Sequence, residues 1–415
     1  MKLQSRQIEQ YVWDEEVTAN KMIFLSGPRQ IGKTTYVKSL LTPDNAGVYL
    51  NWDNPAVRRK YAQDPFFFME RKKDNPSFLL ILDEIHKRPK WKDILKGIYD
   101  TVDPSCKIIV TGSARLELFR KSGDSLVGRY IHYHMLPISV SESMGIPISK
   151  LWLCNAEDWK NPWSSLMNKL NSNMGYSGRI SAFNHLFRFG GFPEPLVKGS
   201  DRFLNKWKRD YISLLLTEDL RVLTNIKQID TVEQIAELLP ARIGSPLSIT
   251  ALSRDLESTY PTIKNHIAQL EKLWLLFSLR PWSKKIHRTL RKEKKTYFVN
   301  WIYAADEARV FENMIAMLLS RACAVWTDLA YGDAQLWYVR NFDGSEIDFL
   351  ITLNRLPALF IETKLSDTAI SVHCRNIKKQ LDIPFIQVIK KPGIWKREGH
   401  DILVLSAENF LPGLP

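Results

Sequence analysis

What the 415-residue sequence lacks narrows the field first. No apolar run approaches the ~20 residues that a membrane-spanning helix needs, so no membrane span is expected. The segment from Met1 to Glu16 is polar and holds no apolar signal core. Cysteine is scarce. Cys106, Cys154, Cys323 and Cys374 lie far apart and form no CxxC pair. No disulfide framework is expected from them, and a reducing cytoplasm suits them. An acidic excess is also missing: 58 Lys+Arg against 45 Asp+Glu give a net charge of +13, which makes nucleic acid or an acidic partner plausible. The hydrophobic and charged fractions are those of a water-soluble chain, long enough for two or three domains.

The chain is organised around Ser26-Gly27-Pro28-Arg29-Gln30-Ile31-Gly32-Lys33-Thr34-Thr35, which reads G-x-x-x-x-G-K-T, the phosphate-binding P-loop. The apolar run Met22-Ile23-Phe24-Leu25 predicts a buried strand before it. Tyr36 to Leu41 carries a helical pattern after it. Strand, glycine loop and helix are the context this motif needs. Gly27 and Gly32 permit backbone angles that a Cβ would block. The loop N–H groups and helix N-terminus are expected to face ATP phosphates. Lys33 reaches the β- and γ-phosphates in this reading, and the Thr34 hydroxyl ligates Mg²⁺.

Phe78-Leu79-Leu80-Ile81-Leu82 predicts a further strand, ending in Asp83-Glu84. This is the Walker B arrangement. Asp83 is expected on the Mg²⁺ side of the nucleotide, with Glu84 polarising the attacking water. Lys107 to Val110 predicts another strand, ending at Thr111-Gly112-Ser113. Thr111 and Ser113 are candidates to sense the γ-phosphate or hold the lytic water, with a helix N-cap as the plainer role for Ser113. Tyr130 to Met135 predicts the last strand. His132 and His134 share one of its faces without an evident third metal ligand.

GPRQIGKTT, LLILDEIHK, IIVTGSARLEL and SLVGRYIHYHMLPISVSE, in that order, resemble the AAA-type P-loop ATPases. More closely they resemble a bacterial and archaeal subgroup with a long C-terminal region. The resemblance implies a parallel sheet with the Thr111 strand between the P-loop and Walker B strands. It also implies that Arg129, with Arg115 as the weaker competitor, contacts a γ-phosphate in its own or a neighbouring subunit. Anchoring a carboxylate is the structural alternative for Arg129. A homo-oligomer is among the partners such a family suggests.

Beyond the polar segment 145–180, Gly190-Gly191-Phe192-Pro193 has the character of a tight turn, and residues 201–239 carry a helical pattern. Ile249 to Leu256 predicts a short helix. Pro261 opens a second, with Ile263, Ile267, Leu270 and Trp274 as its buried stripe. Strands follow at Leu275–Leu279 and Tyr297–Val299. The stretch between them includes Lys284, Lys285, Arg288, Arg291 and Lys292. Two helices and a basic two-stranded hairpin resemble a winged helix-turn-helix. That resemblance offers Lys264 and Asn265 on the second helix, with the hairpin cations, as DNA contacts.

The last stretch predicts the order α-β-β-β-α-β and resembles the restriction-endonuclease-like fold, with D…ExK carried by Asp348, Glu362 and Lys364. Alternation puts Glu346 with Asp348, and Glu362 with Lys364, on single strand faces. Helical Glu312 stands upstream. The acids would form a second Mg²⁺ or Mn²⁺ site, and Lys364 would orient or activate water for phosphodiester attack. E-x-K alone is weak, since Glu70/Lys72 and Glu293/Lys295 also satisfy it. Only Glu362/Lys364 ends an apolar strand downstream of one bearing Asp348.

The expected plan is therefore an α/β AAA-type ATPase over 1–145, a linker and helical region over 146–245, a winged helix over 246–300 and an α+β endonuclease-like region over 301–415. The expected activity is ATP hydrolysis coupled to DNA binding and metal-dependent cleavage. The alternative is an ATP-dependent switch whose C-terminal region is a non-catalytic scaffold.

Overall fold

A computed structural model of the protein describes residues 6–42, 46–72, 78–112, 126–148, 162–220, 229–283, 293–341 and 343–415. The chain divides into two compact units: Ile8–Leu136 with Lys272–Trp274, and Met1–Gln7, Pro137–Glu271 and Leu275–Pro415.

The smaller unit is built on a five-stranded parallel sheet. Strands β1 (Met22–Ser26), β2 (Gly47–Asn51), β3 (Leu79–Asp83), β4 (Lys107–Gly112) and β5 (Tyr130–His134) lie in the order β2-β3-β4-β1-β5. β1 and β3 are buried along their whole length, which explains why they read as unbroken apolar runs. Helices α1 (Lys33–Ser39), α2 (Pro55–Gln63) and α3 (Trp91–Thr101) link the strands. Trp91, Leu95 and Ile98 of α3 pack with Phe24, Leu80, Leu82 and Val110 in one core. The Thr111 strand lies between the P-loop strand and the Asp83 strand, as expected.

In the larger unit, α4 (Arg179–Phe189) ends at Gly190, φ +79°. A Cβ there would come 2.3 Å from Asn300 Oδ1. Phe192 packs its ring 5.2 Å from Trp207 and Tyr211, so the Gly-Gly-Phe-Pro turn serves internal packing. Helices α5 (Ile249–Asp255) and α6 (Tyr260–Lys272) precede the antiparallel pair β6 (Leu276–Leu279) and β7 (Lys295–Phe298).

One position departs from the expected stripe. Ile263, Ile267 and Leu270 are buried, but Trp274 lies past the helix end with φ +60°. The helix closes by a bond from Leu275 N–H to Leu270 C=O, 3.1 Å, the Schellman pattern, which requires a left-handed residue just before Leu275. Trp274 therefore belongs with the smaller unit, where its ring lies 6.3 Å from His134.

The rest of the larger unit follows the order α-β-β-β-α-β. It runs α7 (Glu307–Asp328), β8 (Ala334–Arg340), β9 (Glu346–Leu353), β10 (Leu356–Lys364), α8 (Val372–Lys378) and β11 (Phe385–Ile389), then β12 (Trp395–Glu398) and β13 (Ile402–Ser406). The sheet order is β12-β13-β11-β10-β9-β8, with β8, β9 and β10 antiparallel and β10 parallel to β11.

Candidate functional site

At the C-terminal end of β1 the chain turns through Gly27 at φ +153°, Gln30 at φ +59° and Gly32 at φ +98°. A Cβ on Gly27 would lie 2.1 Å from the Met135 carbonyl oxygen, so only glycine lets the loop pass the end of β5. Gly32 caps α1, whose first residue is Lys33. The buried Lys33 ammonium donates to the carbonyls of Gly27 at 2.8 Å and Pro28 at 2.7 Å. Left-handed residues alternating within a short loop are the backbone form of an anion-binding nest.

Asp83 ends β3 beside this loop, only 2% exposed. Three hydroxyls donate to it. Thr34 Oγ1 meets Oδ2 at 2.9 Å, Tyr49 O–H shares Oδ2, and Thr111 Oγ1 bonds Oδ1. The parallel register pairs Asn51 with Asp83, and strand alternation puts Tyr49 on the same face as Asn51, diagonal to Asp83. Burial, with Asp83 beside it, pushes the Tyr49 phenol well above its usual range, so it stays a proton donor.

Glu84 has a left-handed backbone, φ +60°, and its N–H donates to Thr111 C=O at 3.1 Å. Burial raises its pKa, opposed by Lys87 and Lys33. Lys87 Nζ bridges Glu84 at 3.2 Å and Asp53 at 2.7 Å. Thus the structure brings Lys33, Thr34, Asp83, Glu84 and Thr111 together, and adds Tyr49 and Lys87, which the sequence did not single out. The pairing register of β2 with β3 was the missing information for Tyr49. Ser113 and Arg115 lie outside the described residues.

Arg129 does not join this group. It precedes β5, and its carbonyl accepts from Met22 N–H at the start of β1. In a parallel sheet that is the edge opposite the phosphate loop. Arg129 Nε pairs with Asp100 Oδ1 at 3.1 Å, and its guanidinium lies 5.8 Å from the Tyr99 ring centroid. Its carboxylate-anchoring role is the one its position supports. His132 Nε2 bonds Ser26 Oγ at 2.7 Å, and its ring lies 4.6 Å from His134.

In the larger unit, Lys264 and Asn265 are exposed on α6, while Lys284, Lys285, Arg288, Arg291 and Lys292 lie outside the described residues. The acids of the last region do gather, though around a different cation from the expected one. Glu362 accepts from Lys364 Nζ at 2.7 Å and from Asp348 N–H at 3.1 Å. Asp348 Oδ2 accepts from Thr363 N–H at 3.0 Å and Thr363 Oγ1 at 2.7 Å. Its other oxygen faces Lys295 Nζ at 3.4 Å. Lys295 also meets Glu346 at 2.5 Å and Glu312 at 3.3 Å. Burial, with Asp348 adding to it, pushes Glu312 and Glu362 up to about 7, against the pull of Lys295 and Lys364 respectively. Among the described residues, no three His, Cys, Asp or Glu side chains are arranged to hold a metal ion. The expected second metal site is therefore not formed as such; an ammonium stands among its acids.

Known proteins similar to this chain include uncharacterized proteins of Mycobacterium bovis and Mycobacterium tuberculosis. Each is 21% identical over 375 residues, covering 89% of this chain and 76% of the relative. An uncharacterized protein of Methanocaldococcus jannaschii is 22% identical over 344 residues, covering 80% of this chain and 72% of the relative. Among solved structures, that of C. elegans PCH-2 is 18% identical, covering 49% of this chain and 65% of that chain. Its TM-score of 0.24 is too low to bear on the fold. Residues 180–301 match a domain of unknown function (DUF8612). Residues 19–144 match the AAA domain, and with the parallel sheet and phosphate loop around Lys33 they form an AAA-type P-loop domain.

Proposed function

We propose that the AAA-type domain binds Mg-ATP and hydrolyses it. The observation that carries this is the Thr34 hydroxyl 2.9 Å from Asp83, at the first turn of the helix that follows the Gly27–Gly32 loop. Lys33 and the loop N–H groups would hold the phosphates, and Thr34 with Asp83 would hold the Mg²⁺ that neutralises developing charge. Glu84, at the end of the strand that carries Asp83, would take the proton of the attacking water. Thr111, bonded to Asp83 on the neighbouring strand, would fix that carboxylate. A colorimetric phosphate assay tests this. Glu84→Gln should keep ATP binding and lose turnover; undiminished hydrolysis removes Glu84 from the role. Lys33→Ala should lose nucleotide binding.

The output is proposed to act on DNA through the larger unit, as either an enzyme or a scaffold. Exposed Lys264 and Asn265 and the cations of 284–292 support contact with phosphates. Asp348, Glu362 and Lys364 on adjoining strands support cleavage. Lys295 among the acids favours the scaffold reading instead. Plasmid nicking with Mg²⁺ or Mn²⁺, with and without ATP, separates the two. Equal background from the wild type and Lys364→Ala would leave the scaffold. Self-association is part of the proposal, and sedimentation with and without ATP measures it.

A further inference from the structure

In the smaller unit, a cavity of about 330 Å³ opens at the edge of the parallel sheet where β1 and β4 begin. Met22 and Lys107, the first residues of those strands, both line it. The phosphate loop follows the other end of β1, so the nucleotide reading makes no use of this cavity. Its buried lining is apolar: Met22, Ile23, Val102, Cys106 and Ile108 are each 8% exposed or less. Trp13 and Tyr99 add two aromatic rings. Tyr99 is held in place, since its O–H donates to Asn20 C=O at 2.7 Å and the Arg129 guanidinium lies 5.8 Å from its ring centroid. Sites for small molecules are concave, mostly apolar, and begin at about 300 Å³, with a few polar groups that orient the ligand.

The charged groups of the lining are Lys21 and Lys107 against Glu15 and Asp103. The acids are turned to other tasks. Asp103 Oδ1 accepts from Ser105 N–H at 2.8 Å, the local turn that aspartate favours. Glu15 is 87% exposed and reaches Lys107 only at 4.0 Å, the limit of an ion pair. The ammonium groups stay with the cavity. Lys107 Nζ lies 5.1 Å from the Trp13 ring centroid, which sets a positive charge beside an aromatic wall. Lys21 Nζ donates to the Gly128 C=O, which uses one of its three donors. We propose that this cavity binds a small planar aromatic acid, a fused-ring carboxylate or sulfonate. Its ring would lie among Trp13, Tyr99 and the buried apolar side chains, and its anionic group would meet Lys21 and Lys107. A flat ring makes offset or edge contacts with both aromatic walls, and two lysines with outward-turned acids favour an anion over a cation. The inference does not rest on ATP hydrolysis.

Isothermal titration of the full chain at low salt, with naphthoate, its neutral amide and naphthylmethylamine, tests this. Naphthoate should bind with a Kd of about 1 mM or tighter. The amide should bind several-fold more weakly, and the cationic amine more weakly again. Lys107→Glu should weaken naphthoate by about three- to tenfold and narrow its advantage over the amine. Trp13→Ala should weaken acid and amide alike by about tenfold. Ala19→Trp, at an exposed position of the lining, should fill the opening and abolish binding; it also serves where Trp13→Ala fails to fold. Saturating Mg-ADP should leave naphthoate bound. No binding at about ten times that Kd overturns the proposal. So does an amine that binds as tightly as the acid, or naphthoate binding untouched by both Lys107→Glu and Ala19→Trp. Displacement of naphthoate by Mg-ADP overturns it as well, by assigning the ligand to the phosphate loop.

Discussion

Two strand carboxylates, Asp83 and Asp348, are held in opposite ways. Asp83 is fixed by the hydroxyls of Thr34, Tyr49 and Thr111. Asp348 divides its oxygens between Thr363 and the Lys295 ammonium. Neutral donors orient a carboxylate and leave its charge in place; an ammonium orients it and cancels the charge. In the proposed reading, the same residue type serves a cation still to arrive in one unit and a cation already built into the chain in the other.

Asparagine at each position breaks this comparison most sharply. Asp83→Asn should cut ATP turnover by about 10²-fold or more, with the smaller loss of stability, about 1 kcal/mol, since an amide keeps only one acceptor oxygen for its three hydroxyl donors. Asp348→Asn should do the reverse. It leaves Lys295 short of a partner and should cost about 1.5–3 kcal/mol in urea unfolding, with ATP turnover retained. Equal effects on turnover at both positions would dissolve the distinction.

The two acids raised to about 7, Glu312 and Glu362, set a pH dependence in the larger unit. Their folded pKa values lie above the unfolded value near 4.3–4.5, so the folded state binds more protons between them. Stability should therefore fall as pH rises from about 4.5 to about 7. Glu312→Gln should flatten part of that slope in a series of urea melts. A slope that rises over this interval would contradict the burial of these groups.

Smaller effects refine the first unit. Tyr49→Phe removes one of three donors to Asp83 and should cost about 1 kcal/mol, with a few-fold weaker Mg²⁺ dependence of turnover. Arg129→Ala should change stability by about 0–1 kcal/mol, since its pair with Asp100 is partly exposed. It should leave turnover unchanged at concentrations where the chain is monomeric. A loss there would require Arg129 to reach a nucleotide from the opposite edge of its own sheet.

The first unit was readable in the sequence because its chemistry is contiguous. Ten residues hold the phosphate loop, and an unbroken apolar run delivers Asp83-Glu84. What the sequence withheld depends on register: Tyr49 meets Asp83 only because Asn51 pairs with it. Arg129 shows the converse. Its neighbours in sequence suggest a phosphate contact, but its place before β5 rather than after it puts it at the other edge. In the larger unit, alternation located Asp348 and Glu362. Lys295 had been visible only as part of a second, seemingly accidental E-x-K. No local pattern reports that the start of a short strand 53 residues before Asp348 will end among its acids.

The position of Trp274 bears on how the protein can be dissected. The polypeptide passes from one unit to the other after Gln7, Leu136, Glu271 and Trp274. The nucleotide-type unit is therefore stitched from two separate lengths of chain, the second only three residues long. A fragment cut after residue 136 lacks Lys272–Trp274 and the ring that lies beside His134. Lys272 is also the last residue of α6, so no single continuous stretch of sequence supplies the smaller unit without carrying residues of the larger one.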